Sequence, residues 1–169
     1  MSDYAKGLEG VVANESSLSK VEGLEGKLSY LGYDIDDLVN GCTFEEVTYL
    51  LHNGKLPNQS ELDTFCVSLR SRRELPQGVI DFLKTAPKDA LPMDIIRTGV
   101  SMLGLTDKRA KIGEPDHEAN RAVALSIVAH IPPIVSYYHR ARQGLDFPHA
   151  RRDTLAPAHI HSLANGEDP

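Results

Sequence analysis

The chain has 169 residues, 18 Lys and Arg against 24 Asp and Glu, a formal net charge of -6 at pH 7, and is 41% hydrophobic and 25% charged. That length supports one domain with a real core, and that composition belongs to a folded globular protein rather than a disordered one. The acidic balance leaves no electrostatic footprint for nucleic acid, and no run approaches the 18 apolar residues that a membrane helix needs. The opening residues Met1 to Gly10 show neither a charged leader nor an apolar signal core, so the expected location is the cytoplasm, with no membrane partner. Cys42 and Cys66 have no second cysteine near them, which argues against a zinc pattern or a redox pair and for small buried hydrophobes in a reducing compartment.

In chain order, residues 1–33 form an N-terminal segment distinct from a helical portion over 34–169. Ser17 to Val21 and Lys27 to Leu31 alternate polar and apolar residues around Gly23 to Gly26, which predicts a small β-hairpin. The string Gly-Leu-Glu-Gly occurs at 7–10 and 23–26, but no Lys-Ser/Thr or GxGxxG pattern accompanies it, so it does not read as a phosphate loop. Asp34 to Val39 predicts a short helix ending at Asn40-Gly41. Thr43 with Glu46 forms a capping box for a second helix whose inner face is Phe44, Val47, Leu50 and Leu51, and Gly54 stops it.

After Lys55-Leu56-Pro57, the residues Leu62, Phe65, Cys66 and Leu69 give a third amphipathic helix. Arg70, Arg72 and Arg73 crowd its negative end and read as a solvated cluster. Pro76 opens a fourth helix carrying Val79, Ile80, Phe82 and Leu83. The fifth, Pro92 to Gly104, places Asp94, Arg97, Thr98 and Ser101 in an arc of roughly 100°, while apolar residues and Gly cover roughly 200°. That width suits a helix packed against two things, its own core and a partner subunit; a central helix within one monomer satisfies the residues equally. Pro92 fits the first turn, Asp94 complements the positive end, and Gly104 offers a left-handed stop. Gly99 costs about 1 kcal/mol relative to Ala inside a helix, which close approach of another backbone would explain.

Thr106 to Pro115 reads as a loop. Glu118 to about Arg142 is apolar nearly all round and predicts an interior helix, with a kink or break at Pro132-Pro133 and an end at Gly144. Thr154 to Ala164 is the last helical stretch, followed by Asn165-Gly166.

Few of the seven histidines have partners at useful spacing. His159 and His161 would point to opposite sides of a helix, as would His130 and His139, so all four are expected to be structural rather than metal ligands. Asp116-His117-Glu118-Ala119-Asn120 mixes a base, acids and an amide, but it reads first as an acidic helix start with Asp116 as the cap. Ser16, Ser17 and Ser60 lack a base that the sequence would place beside them, and no GxSxG occurs.

The order of segments resembles the N-terminal part of citrate synthase, of the type shared by bacteria and archaea. The resemblance rests on Gly7 to Gly10, Gly26 to Ile35 with Leu38, Thr43 to Glu46, Leu50-Leu51, Gly54 to Pro57, Pro92 to Asp94, Arg97-Thr98, Val100-Ser101, the interior helix with Pro132, Tyr137 and Gly144, and Ala164 to Pro169. It implies an all-α fold, a multi-helix portion of the large domain with a small N-terminal β element. It further implies a cytoplasmic homodimer built through the Pro92 to Gly104 helix, and an acyltransferase of the tricarboxylic acid cycle that condenses oxaloacetate with acetyl-CoA, or in close relatives with propionyl-CoA to form 2-methylcitrate. In that family an Asp base enolises the thioester and histidines polarise the two carbonyls.

Those groups lie beyond the point matching Pro169. The chain alone is therefore expected to be inactive, supplying scaffold and dimer helices, with no catalytic, substrate-binding or metal residue assigned and no bound cofactor; the acyl-CoA is a substrate of the complete enzyme. Arg109 could approach CoA phosphates, although a solvated loop residue is the simpler reading. The sequence departs from the family in two places. Asp116 to Asn120 looks like the family's Asp-His-Glu-x-Asn motif but precedes the interior helix instead of following Ala164 to Pro169, and Leu91 stands where the family usually has His. The alternative is a stand-alone helical dimerisation or interaction module without catalysis.

Overall fold

A computed structural model describes residues 7, 10–12, 15–107, 116–146 and 154–163. The chain divides into two compact units, Met1–Leu56 and Pro57–Pro169. Arg109, most of the loop around it, and Ala164 to Pro169 lie outside the described residues, as do Leu8 and Glu9 of the first Gly-Leu-Glu-Gly string.

In the first unit, β1 (Ser19–Glu22), β2 (Lys27–Tyr30) and β3 (Tyr33–Asp34) form an antiparallel sheet in the order β1-β2-β3. Val21 pairs with Leu28, and Tyr30 with Tyr33. The predicted hairpin is present, with Gly26 at φ 66 closing its turn. The sequence reading did not include β3. It forms because Leu31 and Gly32 both take positive φ, 49° and 88°, reversing the chain within two residues; Leu31 is held there by its amide N–H, which donates to the Leu18 carbonyl at 3.0 Å.

Asp34 caps α1 (Ile35–Gly41) by accepting from the Asp36 amide, and α1 packs on β2 and β3. In α2 (Phe44–Asn53) the capping box is complete and Gly54 takes φ 77. Phe44 is not on the inner face: it is 51% exposed, while Glu45, Thr48 and Leu50 are buried. A side chain at the first helical position tilts off the N-terminal end, away from whatever the later turns pack against.

In the second unit, α3 (Gln59–Arg70) has a further capping box, Asn58 with Glu61. The chain then turns through α4 (Gln77–Thr85), α5 (Pro92–Thr106), α6 (His117–Gln143) and α7 (Leu155–Leu163). Leu75, Val79, Leu83, Ile95, Leu103, Ile134 and Tyr138 make one buried apolar cluster joining α4, α5 and α6.

Further expectations are corrected here, those on α5 first. Gly104 does not stop α5, which continues to Thr106, where the Asp107 amide and the Thr106 hydroxyl both donate to the Leu103 carbonyl. The close neighbour of Gly99 is a side chain of the same chain rather than a backbone: a Cβ there would lie 3.1 Å from Ile134 Cδ1 and 3.3 Å from its Cγ2.

The second correction concerns Pro132-Pro133, which does not break α6; the helix runs unbroken for 27 residues. Each proline removes an amide and crowds a carbonyl, at about 3 kcal/mol in an isolated helix. Packing offsets that cost, because no residue from Ala122 to Ala141 is exposed, and tertiary burial rather than propensity carries most helix stability.

Third, the arginine cluster is not wholly solvated. Arg70 Nε donates to the Cys66 carbonyl and Arg72 Nη1 to the Ser68 carbonyl, serving the helix end as expected. Arg73, however, is 8% exposed, because the turn after α3 carries it inward. Cys42 and Cys66 are free and half-buried rather than core residues. Among the described residues no helix is long and apolar enough to cross a membrane.

Candidate functional site

A partly open pocket of the second unit lies where α7 packs on α6. A cavity of about 40 Å³ there is walled by Arg73, Ala129, Pro132, Ser136, Tyr137 and His159, among others. That is room for about three waters.

The helices place these groups in a definite way. Asp116 caps α6 by accepting from the Ala119 amide at 2.9 Å, and Gly144 ends it at φ 73, so both limits expected from the sequence are found. Within α6, Ser136 is fully buried, with its hydroxyl 2.9 Å from the Pro132 carbonyl. Its oxygen also lies 2.9 Å from His159 Nδ1 on α7. Ser136 and His159 are thus a hydrogen-bonded pair in which the ring tautomer sets who donates.

Burial pushes the His159 imidazole below its ordinary value, opposed by the Pro132 carbonyl, which favours the charged ring. Burial likewise raises the Tyr137 phenol, with the charge of Glu74 adding to the effect. Ser136 and His159 have the separation of a nucleophile and its base. The arrangement is not that of an exposed, activated serine, because the hydroxyl is closed off from solvent and has the Pro132 carbonyl as well as the ring within hydrogen-bond distance.

Other polar side chains of α6 also serve backbone carbonyls. His130, 7% exposed, sits between the Ser126 carbonyl at 2.6 Å and the Glu74 carbonyl at 3.2 Å. Tyr138 donates to the carbonyls of Pro87 and Ala90 at 2.8 and 3.0 Å. Arg140 donates to the Asp146 carbonyl at 2.5 Å and reaches the Ser162 carbonyl at 3.5 Å. Each ties the interior helix to a neighbouring segment.

The residues singled out from sequence are not brought together. His117 and Glu118 are exposed at the start of α6, consistent with an acidic helix start. His139 faces Gln143 on its own helix. His159 and His161 both lie on α7, two residues apart and therefore on different sides. Among the described residues, no three His, Cys, Asp or Glu side chains stand close enough to hold a metal. The Ser136–His159 contact had no sequence signal, since the two residues are distant in the chain and only the docking of α7 makes them neighbours.

Comparison with known proteins gives one consistent answer. Residues 7–169 match the family model described as citrate synthase, C-terminal domain. The chain is 39% identical to the citrate synthase of Haloferax volcanii, over 99% of this chain and 45% of that protein. It is 41% identical to 2-methylcitrate synthase 2 of Corynebacterium glutamicum, over 99% of this chain and 43% of that protein. Among solved structures, the citrate synthase of Pyrobaculum aerophilum superposes with a TM-score of 0.87 at 28% identity, covering 97% of this chain and 42% of that one. The chain thus spans less than half the length of the relatives it matches.

Proposed function

The chain belongs to the citrate synthase family, and on that premise we propose that it is the part of an acyl-CoA:oxaloacetate C-acyltransferase that supplies scaffold and dimer helices. The complete enzyme would join the acyl carbon of acetyl-CoA, or of propionyl-CoA, to the ketone of oxaloacetate and release CoA. The observation that carries this reading is the family match running over residues 7–169 of a chain that spans 45% and 43% of two such synthases. Both substrates remain in view because citrate and 2-methylcitrate synthases match at similar identity. The cytoplasm is the proposed location.

The proposed dimer contact is α5. Its buried face is Ile95, Gly99 and Leu103. Beside that face run Met93, 69% exposed, half-buried Ile96 and Val100, and exposed Gly104, with nothing within 4 Å of where a Cβ of Gly104 would stand. Apart from Ile96, which packs against this chain's own core, this strip supports a partner helix because it is apolar and open.

The test is release of CoA thiol from acetyl-CoA and from propionyl-CoA by the purified chain with oxaloacetate present, with sedimentation of the same sample reporting its association state. No release above background is expected from either thioester. Oxaloacetate-dependent release would overturn the scaffold reading and make His117 and Glu118 the first residues to replace.

A further inference from the structure

One face of α6 runs from apolar to cationic. Val135, Tyr138, His139 and Arg142 fall at i, i+3, i+4 and i+7, so they share one stripe of the helix. Against the start of that stripe, Pro92, Ile95 and Ile96 of α5 and Leu163 of α7 wall an apolar slot, with His139 and Arg142 at its edge. A second, more open hollow is lined by Lys88, His139, Arg142 and Gln143. The two share His139 and Arg142 and so meet in one groove, about 10 Å long from Val135 to Arg142 at a rise of about 1.5 Å per residue.

Tyr138 builds the cationic end. Its ring is buried, and its hydroxyl donates to the carbonyls of Pro87 and Ala90 at 2.8 and 3.0 Å. Lys88 lies between those two residues in the chain, so the same tyrosine holds the lysine's backbone against α6. The Arg142 guanidinium stands 5.6 Å from the centroid of that ring, and His139 is hydrogen-bonded to Gln143 at 2.8 Å. Arg142 alone would be an ordinary cation at the negative end of a helix. Lys88 arrives from another segment, and the chemistry of the helix end does not account for it.

Among the described residues, no Asp or Glu lines either hollow, and neither Lys88 nor Arg142 has a carboxylate partner. Asp89 follows Lys88 in the chain, and Asp146 lines a separate hollow with Lys84. Two charges of one sign thus converge in a chain whose net charge is -6. A metal cation would be repelled there, an inorganic anion would leave the apolar slot wet, and a neutral apolar molecule would leave both charges unanswered.

We propose that this groove binds a small amphipathic carboxylate, its head on Lys88 and Arg142 and its aliphatic or aryl body between Val135, Ile96 and Leu163. The site does not rest on the acyltransferase reading.

Calorimetric titration of the chain with octanoate, octanamide and inorganic phosphate at low ionic strength tests this. Octanoate should bind about tenfold more tightly than octanamide, the worth of one charge-assisted hydrogen bond, and more tightly than phosphate, which has no apolar body. In the Lys88→Gln, Arg142→Gln double variant, octanoate affinity should fall about tenfold, toward that of octanamide. Both side chains are exposed, and an unchanged circular dichroism spectrum checks that the fold survives. In the unsubstituted chain, octanoate should shift the amide NMR signals of residues 88, 95–96, 135–142 and 163 and leave those of α3 in place. Octanoate binding no tighter than octanamide, phosphate binding as tightly as octanoate, signals moving elsewhere, or no binding of octanoate would overturn the site. Should the double variant unfold, the octanoate to octanamide ratio and the shift map in the unsubstituted chain decide.

Discussion

Helix α6 carries two seams of opposite character. Against α5 its centre is apolar and in that sense dry: Gly99 lets Ile134 close to contact distance, and Ile95 and Leu103 complete a buried apolar face, while a pocket at the edge is lined by His139 and Arg142. Against α7 it is polar, held by Ser136 with His159 and by Arg140 with the Ser162 carbonyl, around a small cavity. The dry centre responds to volume because Ile95, Gly99, Leu103 and Ile134 have only packing to offer. The polar seam responds instead to loss of a donor or an acceptor.

The largest effect that would break this contrast is at the centre of the dry seam. Ile134 is fully buried, so Ile134→Ala should cost about 2–5 kcal/mol of unfolding free energy. Urea unfolding measures this, and a loss under 1 kcal/mol would mean that the α5–α6 face is looser than it looks.

Next is Tyr138→Phe, which keeps the ring but removes the donor that serves the Pro87 and Ala90 carbonyls. A loss of about 1–3 kcal/mol is expected for leaving buried acceptors unmet. The same denaturation experiment reads it, and a neutral result would show that water already reaches those carbonyls.

The smallest is Gly99→Ala. Helix propensity favours Ala by about 1 kcal/mol, but the new methyl would stand 3.1 Å from Ile134 Cδ1, and Ile134 is enclosed. A net destabilisation of about 1 kcal/mol is expected from overpacking. Net stabilisation would instead show that Ile134 can shift. All three losses should be the same at pH 7.5 and 5.5.

Much of the scaffold was legible in the sequence because local chemistry decides it. Thr43 with Glu46, Gly54, Asp116 and Gly144 are cap residues whose partners lie within a few positions, so no tertiary information was needed to place them. The hairpin turn at Gly26 and the apolar repeat of Phe65 and Leu69 are of the same kind. The errors fall where a distant segment decides the outcome. Arg73 looks like a solvated cation until the chain turns it against α6. Pro132-Pro133 looks like a break until the packing around α6 is counted, and Gly104 looks like a stop until the helix is seen to have reason to continue to Thr106.

The sequence by itself determined the helical class, the N-terminal hairpin, most element ends and the family, because each rests on short patterns read along the chain. Only the tertiary structure decided that Gly99 accommodates Ile134, that His130 and Tyr138 serve carbonyls of distant turns, and that His159 meets Ser136. Those pairs are far apart in the chain, and nothing in either residue's own neighbourhood names the other; the partner is chosen by how whole helices pack.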